Sequence, residues 1–194
     1  MKLCVFQGSF NPVHNAHLRV ADFVCKNFNF DKILFIPAFC PPHKELSLAE
    51  DRFEMVKLAI KNHPEYEISD IEYKRGGKSY TYLTINELYE TFDVEGPISF
   101  IIGTDAFEKI ESWYEADKLK KLVKFLVFIR EDNFDISRYD YLKDKGYNFE
   151  FQNLPYKDIS STELRDKIKS GADIKEYVPK EVKEYIEKHG LYKS

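Results

Sequence analysis

Short apolar runs alternate along this chain with stretches whose apolar residues recur at helical spacing, and that alternation leaves few folds open. Lys2 to Phe6, Lys32 to Pro37, Ile98 to Ile102 and Val123 to Ile129 read as strands, and Phe149 to Leu154 suggests one more. Between them Ala16 to Phe28, Ala49 to Asn62 and Thr81 to Thr91 read as amphipathic helices. Strands that are apolar nearly throughout and joined by helices form a parallel sheet covered on both sides. The expected architecture is therefore an α/β, Rossmann-like three-layer fold with a mainly parallel sheet and helices on both faces. The 194 residues suit one domain, 1–194, with the helical part from about residue 160 completing the site. Ser160-Ser161-Thr162-Glu163 has the form of a capping box at the start of that part, and Pro179 opens a last helix ending at Gly190. Phe134 to Gly146 reads as a surface excursion.

A hydrophobic share of 43% supports a real core, and a net charge of −4 carries no basic excess for nucleic acid. The longest apolar run, near Phe125 to Ile129, is far short of a membrane span, and Leu3 to Phe6 is too short for a signal-peptide core. The expectation is a cytoplasmic protein with neither nucleic-acid nor membrane partner, and a homo-oligomer left open by its aromatic share. Cys4, Cys25 and Cys40 share no C-x-x-C spacing, so they read as small core-packed thiols rather than a disulfide framework or zinc site.

The chemistry concentrates where the first strand ends, in Gly8-Ser9-Phe10-Asn11-Pro12-Val13-His14-Asn15-Ala16-His17. A strand-to-helix turn exposes unpaired amide N–H groups and partial positive charge, which favours an anion. His14 and His17, spaced i, i+3, lie on one face of the first helical turn, where both can reach one phosphate. Lys44, after Pro41-Pro42-His43, and Gly103 with Asp105, after the strand at 98–102, fall on the same carboxyl edge of a parallel sheet. Lys44 is a cationic partner for phosphate, Gly103 permits close approach of a ligand, and Asp105 can accept from a ribose hydroxyl. Asp105 could equally cap the following helix. Ser79-Tyr80-Thr81 opens a helix and Trp113-Tyr114 supplies an indole able to stack on a cationic ring. Ser161, Thr162 and Arg165 present hydroxyls and a guanidinium at another helix start.

These segments, in this order, resemble the bacterial nicotinate mononucleotide adenylyltransferase family: the first-turn motif, Pro41-Pro42-His43-Lys44, Ser79-Tyr80-Thr81, Ile101-Ile102-Gly103-Thr104-Asp105, Trp113-Tyr114, the Ile159 to Arg165 segment and the Gly190-Leu191-Tyr192 tail. Gln7 stands where a further Gly is common, Asn11 where Asp is common, and Ala16 where Gly usually separates the histidines. The resemblance implies that ATP and nicotinate mononucleotide are joined to nicotinate adenine dinucleotide with release of pyrophosphate, by direct attack on the α-phosphorus. It implies catalytic roles for His14, His17, Lys44 and Arg165. ATP would be held by Gly8, Ser9, Phe10, Gly103, Asp105, Ser161 and Thr162, and nicotinate mononucleotide by Ser79, Tyr80, Thr81, Trp113 and Tyr114. Mg²⁺ would arrive held mainly by phosphates and water, with no protein cage. The alternatives are an enzyme that prefers nicotinamide mononucleotide or uses both acceptors, a nucleotide-binding protein without catalysis, and a metal-binding protein using His14, His17, His43 and Cys40.

Overall fold

The computed structural model describes residues 1–154 and 159–194. Six strands form one all-parallel sheet: β1 (Leu3–Gly8), β2 (Lys32–Pro37), β3 (Tyr66–Ile68), β4 (Ile98–Gly103), β5 (Val123–Ile129) and β6 (Phe149–Asn153). Their spatial order is β3-β2-β1-β4-β5-β6. The order reverses between β1 and β4, and in doubly wound sheets the crevice beyond the carboxyl ends at such a reversal is where ligands bind. The Rossmann-like expectation is met.

Side chains alternate across each strand, so the sheet divides its apolar residues between two cores. Cys4, Phe6, Ile33, Phe35, Ile101, Leu126 and Phe128 face one side. That side is covered by α1 (Asn15–Asn27), α2 (Ala49–Ile60), α8 (Ser161–Lys169) and α9 (Lys180–His189), which bury Val24, Val56, Leu164 and Ile186 there. Leu3, Val5, Leu34, Ile36, Phe100, Ile102 and Val127 face the other side with Ile85 and Leu88 of α4 (Thr81–Thr91). The shorter helices are α3 (Ile71–Arg75), α5 (Thr104–Phe107), α6 (Ala116–Leu119) and α7 (Asp140–Asp144). Among the described residues no helix is long and apolar enough to cross a membrane.

The structure differs from the sequence expectation in three places. β3 forms from three residues, too few to show a period. The segment 134–146 is not a bare excursion: a 3₁₀ turn (Ile136–Tyr139) and α7 insert Tyr139 and Leu142 into the core beside Phe107 and Phe151. Of the cysteines, Cys4 is buried and Cys40 half-buried, but Cys25 is exposed because it lies on the outer face of α1.

Candidate active site

The carboxyl ends of β1, β4 and β5 open onto a cavity of about 1160 Å³. Ser9, Phe10, His14, His17, Lys44, Gly103, Asp105, Ser161, Thr162 and Arg165 line it together. Gly8 does not. A Cβ there would come within 3.1 Å of the Phe10 ring, so this glycine makes room for Phe10. Phe10 itself has φ 45°, a left-handed conformation that costs a non-glycine residue on the order of 1 kcal/mol. It is held there by edge and tilted ring contacts with Phe6, Phe35 and His17.

The two imidazoles lie 3.9 Å apart, centroid to centroid, at the start of α1. The backbone N–H of His14 donates to Nδ1 of His17 at 3.1 Å, so in neutral His17 the proton sits on Nε2. Nδ1 of His14 is buried and has no partner among the described residues. Burial, followed by the charge of Arg130, lowers the His14 pKa from 6.5 to about 4. Burial, His14 and Arg130 hold His17 well below its usual value as well. Both rings are therefore neutral near pH 7, and each offers one N–H without a proton having to be lost.

The backbone contributes less than the sequence suggests. The N–H of His14 is taken by His17 and that of Asn15 by the carbonyl of Tyr177 at 2.8 Å. Anion binding at this turn thus falls mainly to side chains, with Ala16 forming part of the wall.

Three groups to which the sequence reading gave no role complete the setting. Arg130 follows β5 directly, lines the cavity and packs its guanidinium on Gly103, where a Cβ would meet Nε at 3.4 Å. Arg52, fully buried on α2, donates to the carbonyls of Ser47 (3.1 Å), Ser9 (2.8 Å), Ala38 (2.7 Å) and Phe39 (3.3 Å). It ties the loop after β1 to the loop after β2. Tyr192 donates its hydroxyl to Oδ1 of Asn11 at 2.8 Å.

From the C-terminal helices, Arg165 donates to the carbonyl of Asn11 at 2.8 Å and Ser161 Oγ to that of Pro12 at 3.1 Å. Arg165 also reaches Thr162 Oγ1 at 3.2 Å. The capping box at Ser160 forms as expected, its hydroxyl accepting from the N–H of Glu163. So Arg165 and Ser161 are struts of the first turn as well as cavity walls. Asp105 lies in the first turn of α5, its carboxyl pushed up by burial and by Glu131.

The remaining sequence candidates do not line this cavity. Ser79 exchanges bonds with Cys40: its N–H donates to the Cys40 carbonyl and its Oγ accepts from the Cys40 N–H, both at 2.8 Å. Thr81 opens α4, and its hydroxyl donates to Gln7 Oε1 at 2.8 Å. Tyr80 and Tyr114 stack at 4.4 Å, and Trp113 meets Phe100 edge-on at 6.2 Å. These five residues gather on the α4 side of the sheet, joined to the cavity through the end of β1.

Comparison with known proteins agrees with this geometry. The cytidylyltransferase-like family model matches residues 5–167. A protein of Caldicellulosiruptor saccharolyticus named probable nicotinate-nucleotide adenylyltransferase is 40% identical over the whole of both chains. One of the same name in Fusobacterium nucleatum is 40% identical, covering 97% of this chain and 98% of the relative. Among solved structures, Plasmodium falciparum nicotinic acid mononucleotide adenylyltransferase complexed with NaAD superposes with a TM-score of 0.80 at 25% identity, over 98% of this chain and 97% of that one.

Proposed function

This chain belongs to the nicotinate-nucleotide adenylyltransferases of the cytidylyltransferase-like family, and from that premise we propose that it transfers the adenylyl group of ATP to nicotinate mononucleotide. The products are nicotinate adenine dinucleotide and pyrophosphate, a step of NAD synthesis. The observation that carries this reading is the close pair of imidazoles, His14 and His17, 3.9 Å apart in a cavity at the β1/β4 reversal that Lys44, Arg130 and Arg165 also line.

In the transfer, a phosphate oxygen of the mononucleotide bonds to the α-phosphorus of ATP. The bond from that phosphorus to its bridging oxygen breaks, and the electron pair leaves on pyrophosphate. The protein's part is placement and charge stabilisation. His17 donates from Nε2 to an α-phosphate oxygen and His14 to the bridging side, where charge grows as the bond breaks. Lys44, Arg130 and Arg165 balance the triphosphate. Ser9 and Phe10 border the nucleotide, Gly103 and Asp105 serve the adenosine ribose, and Ser161 and Thr162 bound the phosphate side. Ser79, Tyr80, Thr81, Trp113 and Tyr114 receive the mononucleotide.

Among the described residues no group of three or more His, Cys, Asp or Glu side chains is arranged to hold a metal ion. The lining offers the imidazoles, Lys44, Arg130 and Arg165 as N–H donors for phosphate oxygens, with Glu45, Asp105 and Glu163 as its carboxylates. Mg²⁺ would arrive on the nucleotide substrate, held mainly by its phosphates and by water.

The test is incubation with MgATP and nicotinate mononucleotide, following pyrophosphate and dinucleotide together. Equal amounts of both products are expected. ATP binding without pyrophosphate would overturn the reading in favour of a binding protein.

A further inference from the structure

Gln7, at the position where the first-turn motif often has Gly, is absorbed by none of the roles above. Its place in β1 turns it away from the histidines, toward α3 and α4, where it meets a buried carboxylate. Glu72 of α3 is 1% exposed and gathers three donors. Gln7 Nε2 donates to its Oε1, Thr84 Oγ1 donates to the same oxygen at 2.7 Å, and the Phe39 N–H donates to Oε2 at 3.1 Å. Arg75 lies 3.8 Å from Oε1. On its other side Gln7 Oε1 accepts the hydroxyl of Thr81. One amide thus connects the end of β1, the carboxylate that holds the loop after β2, and the first residue of α4.

We propose that Gln7 is a positioning residue for the acceptor substrate: its amide, clamped between Glu72 and Thr81, fixes the Ser79 to Thr81 segment against the end of β1. This rests on the reading that the segment receives the mononucleotide. A glycine at position 7 offers neither bond, so this chain holds with a side chain what a motif with glycine must hold otherwise. The clamp lies outside the nucleotide cavity. Its loss should therefore be felt by the acceptor and not by ATP.

The experiment is steady-state kinetics of the full chain and of Gln7→Met, which keeps the bulk and removes both bonds, with thermal unfolding measured in parallel. The expected result is a KM for nicotinate mononucleotide raised about tenfold, the size of one lost charge-assisted bond, with kcat and the KM for ATP within about twofold. Gln7→Gly should shift the same constant in the same direction. Should the position 7 variants fail to fold, Glu72→Gln keeps the bulk, neutralises the carboxylate to which Gln7 Nε2 donates, and should show the same split. An unchanged acceptor KM, or an equal rise for ATP, would overturn the proposal while the parent's turnover upholds the reaction. No turnover by the parent would refute the reaction and the proposal together.

Discussion

Replacing Arg52 by Met tests whether the loops that form the site are held by one buried cation. The guanidinium is fully buried, and its bonds at 2.7 and 2.8 Å to Ala38 and Ser9 are short, while those at 3.1 and 3.3 Å to Ser47 and Phe39 are longer. Counting roughly 1.5 kcal/mol for each short bond and about 0.5 for each longer one gives about 4 kcal/mol. Burying a methionine in place of the charge returns about 1 kcal/mol, which leaves about 3. In a chain of this length that lowers Tm by roughly 6–12 °C. Because Ser9 lines the cavity, the KM for ATP should rise too. Urea unfolding, with the midpoint shifted at constant slope, measures the stability term. Arg52→Lys, able to reach only some of the carbonyls, should fall between. A loss below about 1 kcal/mol in Arg52→Met would refute the argument, since the freed carbonyls would then be finding partners without the guanidinium.

Further predictions follow from the same geometry. His17→Ala removes the Nε2 donor and should lower kcat by roughly 10²-fold or more in pyrophosphate release; near-normal turnover would remove histidine-assisted transfer from the account. Because the folded protein holds His14 at about 4 against 6.5 when unfolded, the unfolded chain binds more protons between those values. The stability owed to neutral His14 is complete above pH 6.5 and is lost as pH falls toward 4, by roughly 3 kcal/mol at most, and His17 acts in the same direction. Urea midpoints for the parent and His14→Phe should converge or cross over that window; parallel curves would contradict it. Tyr192→Phe frees the side chain of Asn11, which lines the cavity while Tyr192 does not, so it should raise the KM for ATP only a few-fold, on the order of one neutral hydrogen bond. Loss of activity comparable to His17→Ala would show that Tyr192 does more than brace the turn.

The sheet was legible because β1, β2, β4 and β5 are apolar nearly throughout, and the phosphate turn because two histidines follow a strand at helical spacing. The capping box at Ser160 could be read for the same reason, since its parts lie within four residues. β3 and α3 were hidden because three and five residues show no period. Arg52 had a readable signal: with Met55, Val56 and Ala59 it forms the buried stripe of α2, so a charge lay on the apolar face. Arg130 had one also, as the first residue beyond a buried strand at the carboxyl edge. The clamp of Gln7 between Glu72 and Thr81 had none, because its bonds join three elements separated by up to 74 positions and exist only once the sheet has formed.

The most direct test of the account compares kcat/KM of the purified chain for nicotinate mononucleotide and for nicotinamide mononucleotide, with MgATP saturating. The account predicts dinucleotide and pyrophosphate from both or from the acid alone, with the acid favoured by at least about tenfold, because a site that hydrogen-bonds a carboxylate pairs poorly with an amide. Equal or reversed values would contradict an acceptor site built for the acid, and no pyrophosphate with either would contradict adenylyl transfer itself.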